Sequence, residues 1–124
     1  RSKRFGSEVQ RCRMPPPQLK YFECLADAVD EYARWVEERP PTQHSVAPVA
    51  APALRETARK IRRAKDVGEA RAAVATAVQT INKSISLVKA GGEDTVRRLE
   101  VSQRSVIVGS LAVVDKSLVR AIGI

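Results

Sequence analysis

Residues 67–88 read VGEARAAVATAVQTINKSISLV, and this stretch decides the fold of the chain. Its apolar residues recur at alternating steps of three and four: Val67, Ala70, Val74, Ala77, Ile81, Ile85 and Val88. That spacing places them on one side of an α-helix over three heptads. We therefore predict a long helix whose apolar seam must be covered by another helix.

A partner for this helix follows directly in the sequence. Gly91-Gly92 is a helix stop, and Glu93-Asp94 puts acid at the start of a new helix, where the helix dipole favours it. The apolar stripe of the new helix consists of Val96, Leu99, Val106 or Ile107, Leu111, Val114, Leu118 and Ile122. A strand is the alternative for residues 105–114, which are rich in Val and Ile. We favour a helix because the flanks keep helical spacing, and the short connection predicts an antiparallel hairpin.

Two shorter helices are predicted before the hairpin, over residues 18–38 and 53–65. The first alternates a buried stripe with an acidic face, and Pro40-Pro41 ends it. Residues 39–53 form a Pro-rich linker, and Pro52 suits the first turn of the next helix. Asp66 and Glu69 have the spacing of a capping box, which would start a separate helix at Val67. One continuous helix through Gly68 is the alternative.

These elements predict an all-α fold, a small bundle of three to four helices around the long antiparallel hairpin. Residues 1–17 are predicted to be a flexible basic arm that ends in a Pro break, and residues 18–124 a single domain. The nearly all-round apolar character of residues 105–114 requires several neighbours or a second subunit. A homodimer is therefore expected.

Charge is unevenly distributed along this chain of net charge +8. Residues 1–20 carry a net +5 and residues 46–66 a net +4, whereas residues 21–45 carry a net −4. Dense Lys and Arg can neutralise phosphates, so both basic segments are candidate sites for an anion or nucleic acid. The alternative is that the basic helix is solvated or matched internally by the acidic helix. The candidate residues are Arg55, Arg59, Lys60, Arg62, Arg63 and Lys65 on the helix and Arg1, Lys3, Arg4, Arg11 and Arg13 on the arm.

Signals for catalysis and cofactors are weak. The carboxylates of Asp27, Asp30 and Glu31 alternate with the buried stripe and are expected to face water, and His44 lies alone in the linker. We predict no enzyme activity, no catalytic residue, no metal site and no cofactor. For Cys12 and Cys24 we expect free thiols in a reducing compartment; the alternative is a disulfide, in an oxidising one, that joins the arm to the first helix.

The sequence predicts a non-enzymatic interaction or scaffold module that acts in an assembly through helical packing. Its partner would be another protein or a second copy of the chain. The alternative is a nucleic-acid-binding accessory protein that uses the arm and the basic helix; a membrane surface is a weaker alternative, and no small-molecule substrate is expected. No signal peptide or membrane span is visible, so we expect a soluble protein. Its compartment stays open, and a reducing, intracellular one is preferred because two free thiols are expected. The candidate partner anchors are Tyr21, Tyr32 and Trp35.

Overall fold

A computed structural model describes residues 2–13, 18–38, 47–88 and 94–122. All elements in these ranges are helices, and none is a strand: α1 Ser2–Arg11, α2 Gln18–Glu38, α3 Ala47–Arg63, α4 Val67–Val88 and α5 Asp94–Ile122. The predicted all-α bundle is confirmed. Residues 105–114 lie within α5, so the strand alternative is wrong for them.

Successive helices pack against one another, and α1 packs against both α5 and α2. Two side-chain pairs set the register of the α4–α5 hairpin. Arg71 binds Asp115 at 2.8 Å, and eleven residues further along α4, Asn82 accepts a hydrogen bond of 3.5 Å from Arg104 on α5. The residue numbers of the partners fall along α5 as the numbers rise along α4. The two helices are therefore antiparallel, as predicted.

The predicted apolar faces form one core to which all five helices contribute. On α4 the seam residues from Ala70 to Ile81 are buried, and Val67 packs at the edge; the side chains of residues 84–102, which include the rest of the seam, lie outside the described ones. Ile122, an expected core residue at the end of α5, is instead 60% accessible, and Leu19 in the first turn of α2 is 59% accessible. On α5, Ile107 is buried in preference to Val106.

The predicted flexible arm is wrong for residues 2–11, which form α1. Phe5, Val9 and Cys12 follow the spacing of one helical face and are buried between α2 and α5. The ring of Phe5 lies 4.7 Å from the ring of Tyr32 on α2, measured between centroids. The three residues are too few to indicate a buried helix by periodicity alone, and the basic residues between them hide the pattern.

A disulfide joins Cys12, just after α1, to Cys24 on α2, with 5.5 Å between the Cα atoms. The expectation of two free thiols is therefore wrong. Packing of α1 against α2 brings the two cysteines together, since Cys12 is itself part of the apolar core. A link across a separation of 12 residues restricts the unfolded chain and contributes about 3 kcal/mol to stability.

The basic helix begins earlier than predicted, at Ala47 in place of Ala53. Part of the expected Pro-rich linker is thus helical, and Pro52 lies inside the helix. A proline there removes one backbone hydrogen bond, but burial of Ala50, Ala51 and Leu54 against the core offsets the loss. Residues 39–46, which include His44, lie outside the described ranges.

The predicted capping box is present at the break between α3 and α4. The Glu69 amide donates to Asp66 Oδ1 at 2.8 Å, and the Glu69 side chain accepts a hydrogen bond of 2.8 Å from the Lys65 amide. The Gln18 side chain donates to the Lys65 carbonyl at 3.0 Å, which places the start of α2 beside this junction. The alternative of one continuous helix is wrong.

Phe5→Ala tests whether α1 is part of the core. Removing a buried aromatic ring leaves a cavity, so we expect the free energy of unfolding to fall by about 3 kcal/mol in urea denaturation. Ser7→Ala, at an exposed position of the same helix, is the matched control and should change it by less than about 0.5 kcal/mol. Equal stability of the two variants would contradict the burial of α1.

Candidate binding surfaces

Half of the predicted basic surface of α3 is engaged in ion pairs. Arg55 donates two hydrogen bonds to the carboxylate of Glu37 on α2, at 2.7 and 2.9 Å. Arg62 lies between Asp27, at 2.8 Å, and Asp30, at 2.7 Å, also on α2. The pairs form because α3 runs antiparallel to α2, which puts the acidic face of one helix beside the basic face of the other.

The hydrogen bonds in these pairs shift the pKa values of the groups that form them. The hydrogen bond from Arg55 lowers the pKa of Glu37, and the hydrogen bond from Arg59 lowers the pKa of Glu56, its neighbour on α3. The hydrogen bonds to Asp27 and Asp30 raise the pKa of Arg62. Arg55, Arg59 and Arg62 therefore already have counterions, as the alternative of internal matching predicts.

The other three basic residues of this segment, Lys60, Arg63 and Lys65, are exposed. Among the described residues, no carboxylate forms an ion pair with any of the three side chains. Lys60 and Arg63 border a shallow cleft of about 340 Å³ between α3 and α4, which also contains Glu69. The cationic surface of α3 is thus smaller than the sequence indicates and is flanked by acid.

In the N-terminal segment, too, some of the described basic residues form an ion pair and others do not. Arg4 binds Glu8 one turn along α1, at 3.0 Å. Arg11 and Arg13 are exposed, and within the described part of the chain neither forms an ion pair. Arg1 and the side chain of Lys3 lie outside the described residues.

The structure adds a basic cleft that the sequence did not indicate. It lies between α1, α2 and α5, has a volume of about 520 Å³, and is bordered by Arg13, Lys116 and Arg120. Among the described residues, no carboxylate lines it. Lys116 and Arg120 are four residues apart on α5, a spacing visible in the sequence. Their proximity to Arg13 could not be predicted, because it depends on the packing of α1 against α5.

Tyr21 lies on the wall of the basic cleft. Its hydroxyl forms a hydrogen bond of 2.7 Å with the Ser117 hydroxyl, which joins the first turn of α2 to the end of α5. Burial raises the pKa of Tyr21, and the bond to Ser117 opposes the rise. Tyr21 is therefore a neutral hydrogen-bonding group at neutral pH.

The three predicted partner anchors belong mainly to the core. Tyr21 and Tyr32 are each 3% exposed, and the ring of Trp35 stacks on that of Tyr32 with 5.7 Å between centroids. Two of the three side chains are thus too buried to reach a partner, because Tyr32 closes the core where α1 meets α2 and Tyr21 closes it where α2 meets α5. Trp35 retains a partly exposed edge.

One side of α5 faces solvent and carries small residues. Ser105, Gly109 and Ala112 are exposed and share a helix face, and Val106 beside them is 43% accessible. No residue from 105 to 114 is charged. We call Ser105, Val106, Gly109 and Ala112 the outward face of α5.

Features of catalytic or membrane-spanning proteins are not found in the described residues. No group of three His, Cys, Asp or Glu side chains there could hold a metal ion. The acidic residues Asp27 and Asp30 bind Arg62, and Glu31 lies 3.6 Å from Arg34. Each described helix is too short or too polar to cross a bilayer.

Comparison with known proteins identifies no relative: no family model, curated protein or solved structure matches the chain. Its class rests on its own features, a basic all-α bundle in which the described residues present three exposed surfaces of interest. These are the outward face of α5, the basic cleft and the residual cations of α3.

Arg55→Gln tests the match between α2 and α3. Glu37 has a lowered pKa in the folded chain, so its pair with Arg55 stabilises the fold above the unfolded pKa of about 4.3. That contribution disappears as pH falls through the lower, folded pKa. Lys60→Gln, which removes an unpaired charge from the same helix, is the control.

We expect Arg55→Gln to be less stable than Lys60→Gln near pH 7 and the two to converge near pH 2.5, in urea denaturation at both pH values. The difference at neutral pH should be small, because both groups of the pair are exposed to solvent. A difference that persists in acid would mean that Arg55 acts through packing alone.

Proposed function

We propose that this chain is a non-enzymatic interaction module that joins an assembly by packing the outward face of α5 against another helix. The observation that carries the proposal is Gly109. It is exposed near the middle of a 29-residue helix, and a Cβ atom added there would meet nothing within 4 Å. The packing among the described residues therefore does not require a glycine at this position.

Glycine at that position is costly to the helix. In a helix interior it is about 1 kcal/mol less favourable than alanine. Small residues on a helix face let a second helix approach closely, which would account for a glycine that the isolated chain does not need. Ser105 and Ala112, one turn to either side, also have small side chains and extend the surface that a second helix could approach closely.

A second copy of the chain is the occupant that we propose first. The outward face presents small and apolar groups without a charge over ten residues, so two copies could meet there without burying an unpaired ion. Such a contact uses the same patch on both subunits, as a two-fold dimer requires. This is the homodimer expected from the sequence, now assigned to a particular face.

Gly109→Glu tests the proposed contact. A longer, charged side chain should block the approach of a second helix and convert dimer to monomer in sedimentation equilibrium. It should not lower the melting temperature of the monomer, because the position has open space and Glu is the better helix former by about 0.5 kcal/mol or more. Ala75→Glu, exposed on α4, makes the same change in charge and should leave the mass unaltered.

Two results would count against this function. A wild-type chain that stays monomeric at high concentration would exclude self-association. If a protein partner is then captured after nuclease treatment, and Gly109→Glu binds it as well as Ala75→Glu does, the outward face is not the contact.

Nucleic-acid binding is the second candidate, favoured by the exposed side chains of Lys60, Arg63 and Lys65, which form no ion pair with a described carboxylate. On this hypothesis Lys60→Gln/Arg63→Gln should weaken binding to a DNA duplex and reduce the slope of log affinity against log salt by about 2. Arg55→Gln/Arg62→Gln removes two paired charges from the same helix and should have the smaller effect in the same filter-binding titration. Equal effects would indicate only a response to net charge.

A further inference from the structure

We propose that the basic cleft binds a small phosphate ester, with the phosphate between Arg13, Lys116 and Arg120 and the organic part on the apolar wall. This site goes beyond the interaction function, because it assigns a small ligand and does not involve the outward face of α5. The proposal rests on three properties of the cleft: its uncompensated charge, its two-sided lining and its fixed walls.

The positive charge of the cleft has no counterion within the described part of the chain. Arg13, Lys116 and Arg120 form no ion pair there, whereas arginines elsewhere on the molecule do. Of the nearest acids on α1 and α5, Glu8 binds Arg4 and Asp115 binds Arg71. The site therefore retains its charge for an external anion.

Helix dipoles do not cancel this charge. The ends of α1 and α5 and the start of α2 all lie at the cleft, as Arg13, Ala121 and Tyr21 in its lining indicate. Each C-terminus contributes about half a negative charge, and the N-terminus of α2 contributes about half a positive charge. The net dipole contribution is thus about half a charge against three full positive charges.

The amount of charge favours phosphate over a single carboxylate. A phosphate monoester carries a charge of about −1.5 to −2 at neutral pH and has three acceptor oxygens for several donors. The arginine guanidinium presents paired N–H groups that match these oxygens. Gln10 and Ser117 add neutral hydrogen-bonding groups to the lining.

The lining also has an apolar wall, formed by residues of α1 and α5. Val9 and Ala121 are buried, and Val113 packs against the core. The disulfide of Cys12 holds the α1 wall, and the Tyr21–Ser117 hydrogen bond holds α2 against α5. A bare inorganic anion would leave this wall uncovered, so the ligand should carry an apolar group.

The cleft suits a small molecule better than a long polyanion. Its volume of about 520 Å³ is within the range of small-ligand sites. On the other side of the disulfide, the groove between α1 and α2 is lined by Glu8, Glu23 and Asp27 together with Arg11 and Lys20. Its charge is therefore mixed, and the continuous positive surface that a long polyanion needs ends at the cleft. The phosphate ester could be free in solution or the headgroup of a lipid.

Titration calorimetry with phenyl phosphate as the probe tests the site. We expect a Kd of roughly 0.1–1 mM, the affinity that a ligand of this size commonly reaches. Inorganic phosphate should bind more weakly because it leaves the apolar wall uncovered, and phenol should not bind. Amide shifts in NMR should map to Gln10, Ser117 and Ala121.

The decisive comparison is between two double variants with the same change in charge. Lys116→Gln/Arg120→Gln should weaken phenyl phosphate about thirtyfold, because two charge-assisted contacts are lost. Arg34→Gln/Lys83→Gln, at exposed positions of α2 and α4 that do not line the cleft, should stay within about twofold of the wild type. All four positions are exposed or border open clefts, and circular dichroism melts will check that both variants fold.

Vesicles distinguish the two sources of the phosphate. If the natural ligand is a lipid headgroup, the wild-type chain should co-sediment with phosphatidylcholine vesicles that contain phosphatidic acid. Free phenyl phosphate should compete with the vesicles for the chain. If it is a soluble ester, phenyl phosphate binds and the vesicles do not. Both results support the site.

Three results would overturn it. The first is that phenyl phosphate up to millimolar concentration produces neither heat in calorimetry nor amide shifts in NMR. The second is that the two double variants weaken phenyl phosphate binding equally. The third is that the amide shifts map to residues outside the cleft. Retention of a protein partner by Lys116→Gln/Arg120→Gln would leave the interaction function intact in each case.

Discussion

Phe5 and Val9 occupy the space between α2 and α5, where they are 4% and 2% exposed. Much of the remaining structure depends on this contact. It brings Cys12 to Cys24, so that the disulfide can form, and it places Arg13 opposite Lys116 and Arg120. Without α1 in this position the basic cleft would lack one of its three walls and one of its three cations.

Charge pairing between helices determines which surfaces remain free. The carboxylates of α2 engage Arg55 and Arg62, and α5 uses Asp115 to hold Arg71 on α4. Each pair is exposed and contributes little stability by itself. Their larger effect is on the surface, because they remove positive charge from the middle of the bundle and leave it at the basic cleft and at the end of α3.

Both proposals rest on residues with no internal role in the described part of the chain. Gly109 lowers the helix propensity of α5 without making room for any described neighbour. Arg13, Lys116 and Arg120 bring like charges together around a cleft with an apolar wall. Both features work against stability, and proteins commonly accept such costs at the surfaces where they bind.

Local sequence patterns by themselves determined the helices and the α4–α5 hairpin, since periodicity, caps and breakers are properties of neighbouring residues. The Asp66–Glu69 cap and the seam from Ala70 to Ile81 were predictable in this way. Periodicity could not show that α1 is a core helix, because its apolar face has only three members among many cations. Only the tertiary structure decided which arginines of α3 and α4 pair with another helix, because their partners are 18 to 44 positions away. It alone also placed Arg13 beside the same cleft as Lys116 and Arg120, because these residues are about one hundred positions apart and meet through the packing of α1.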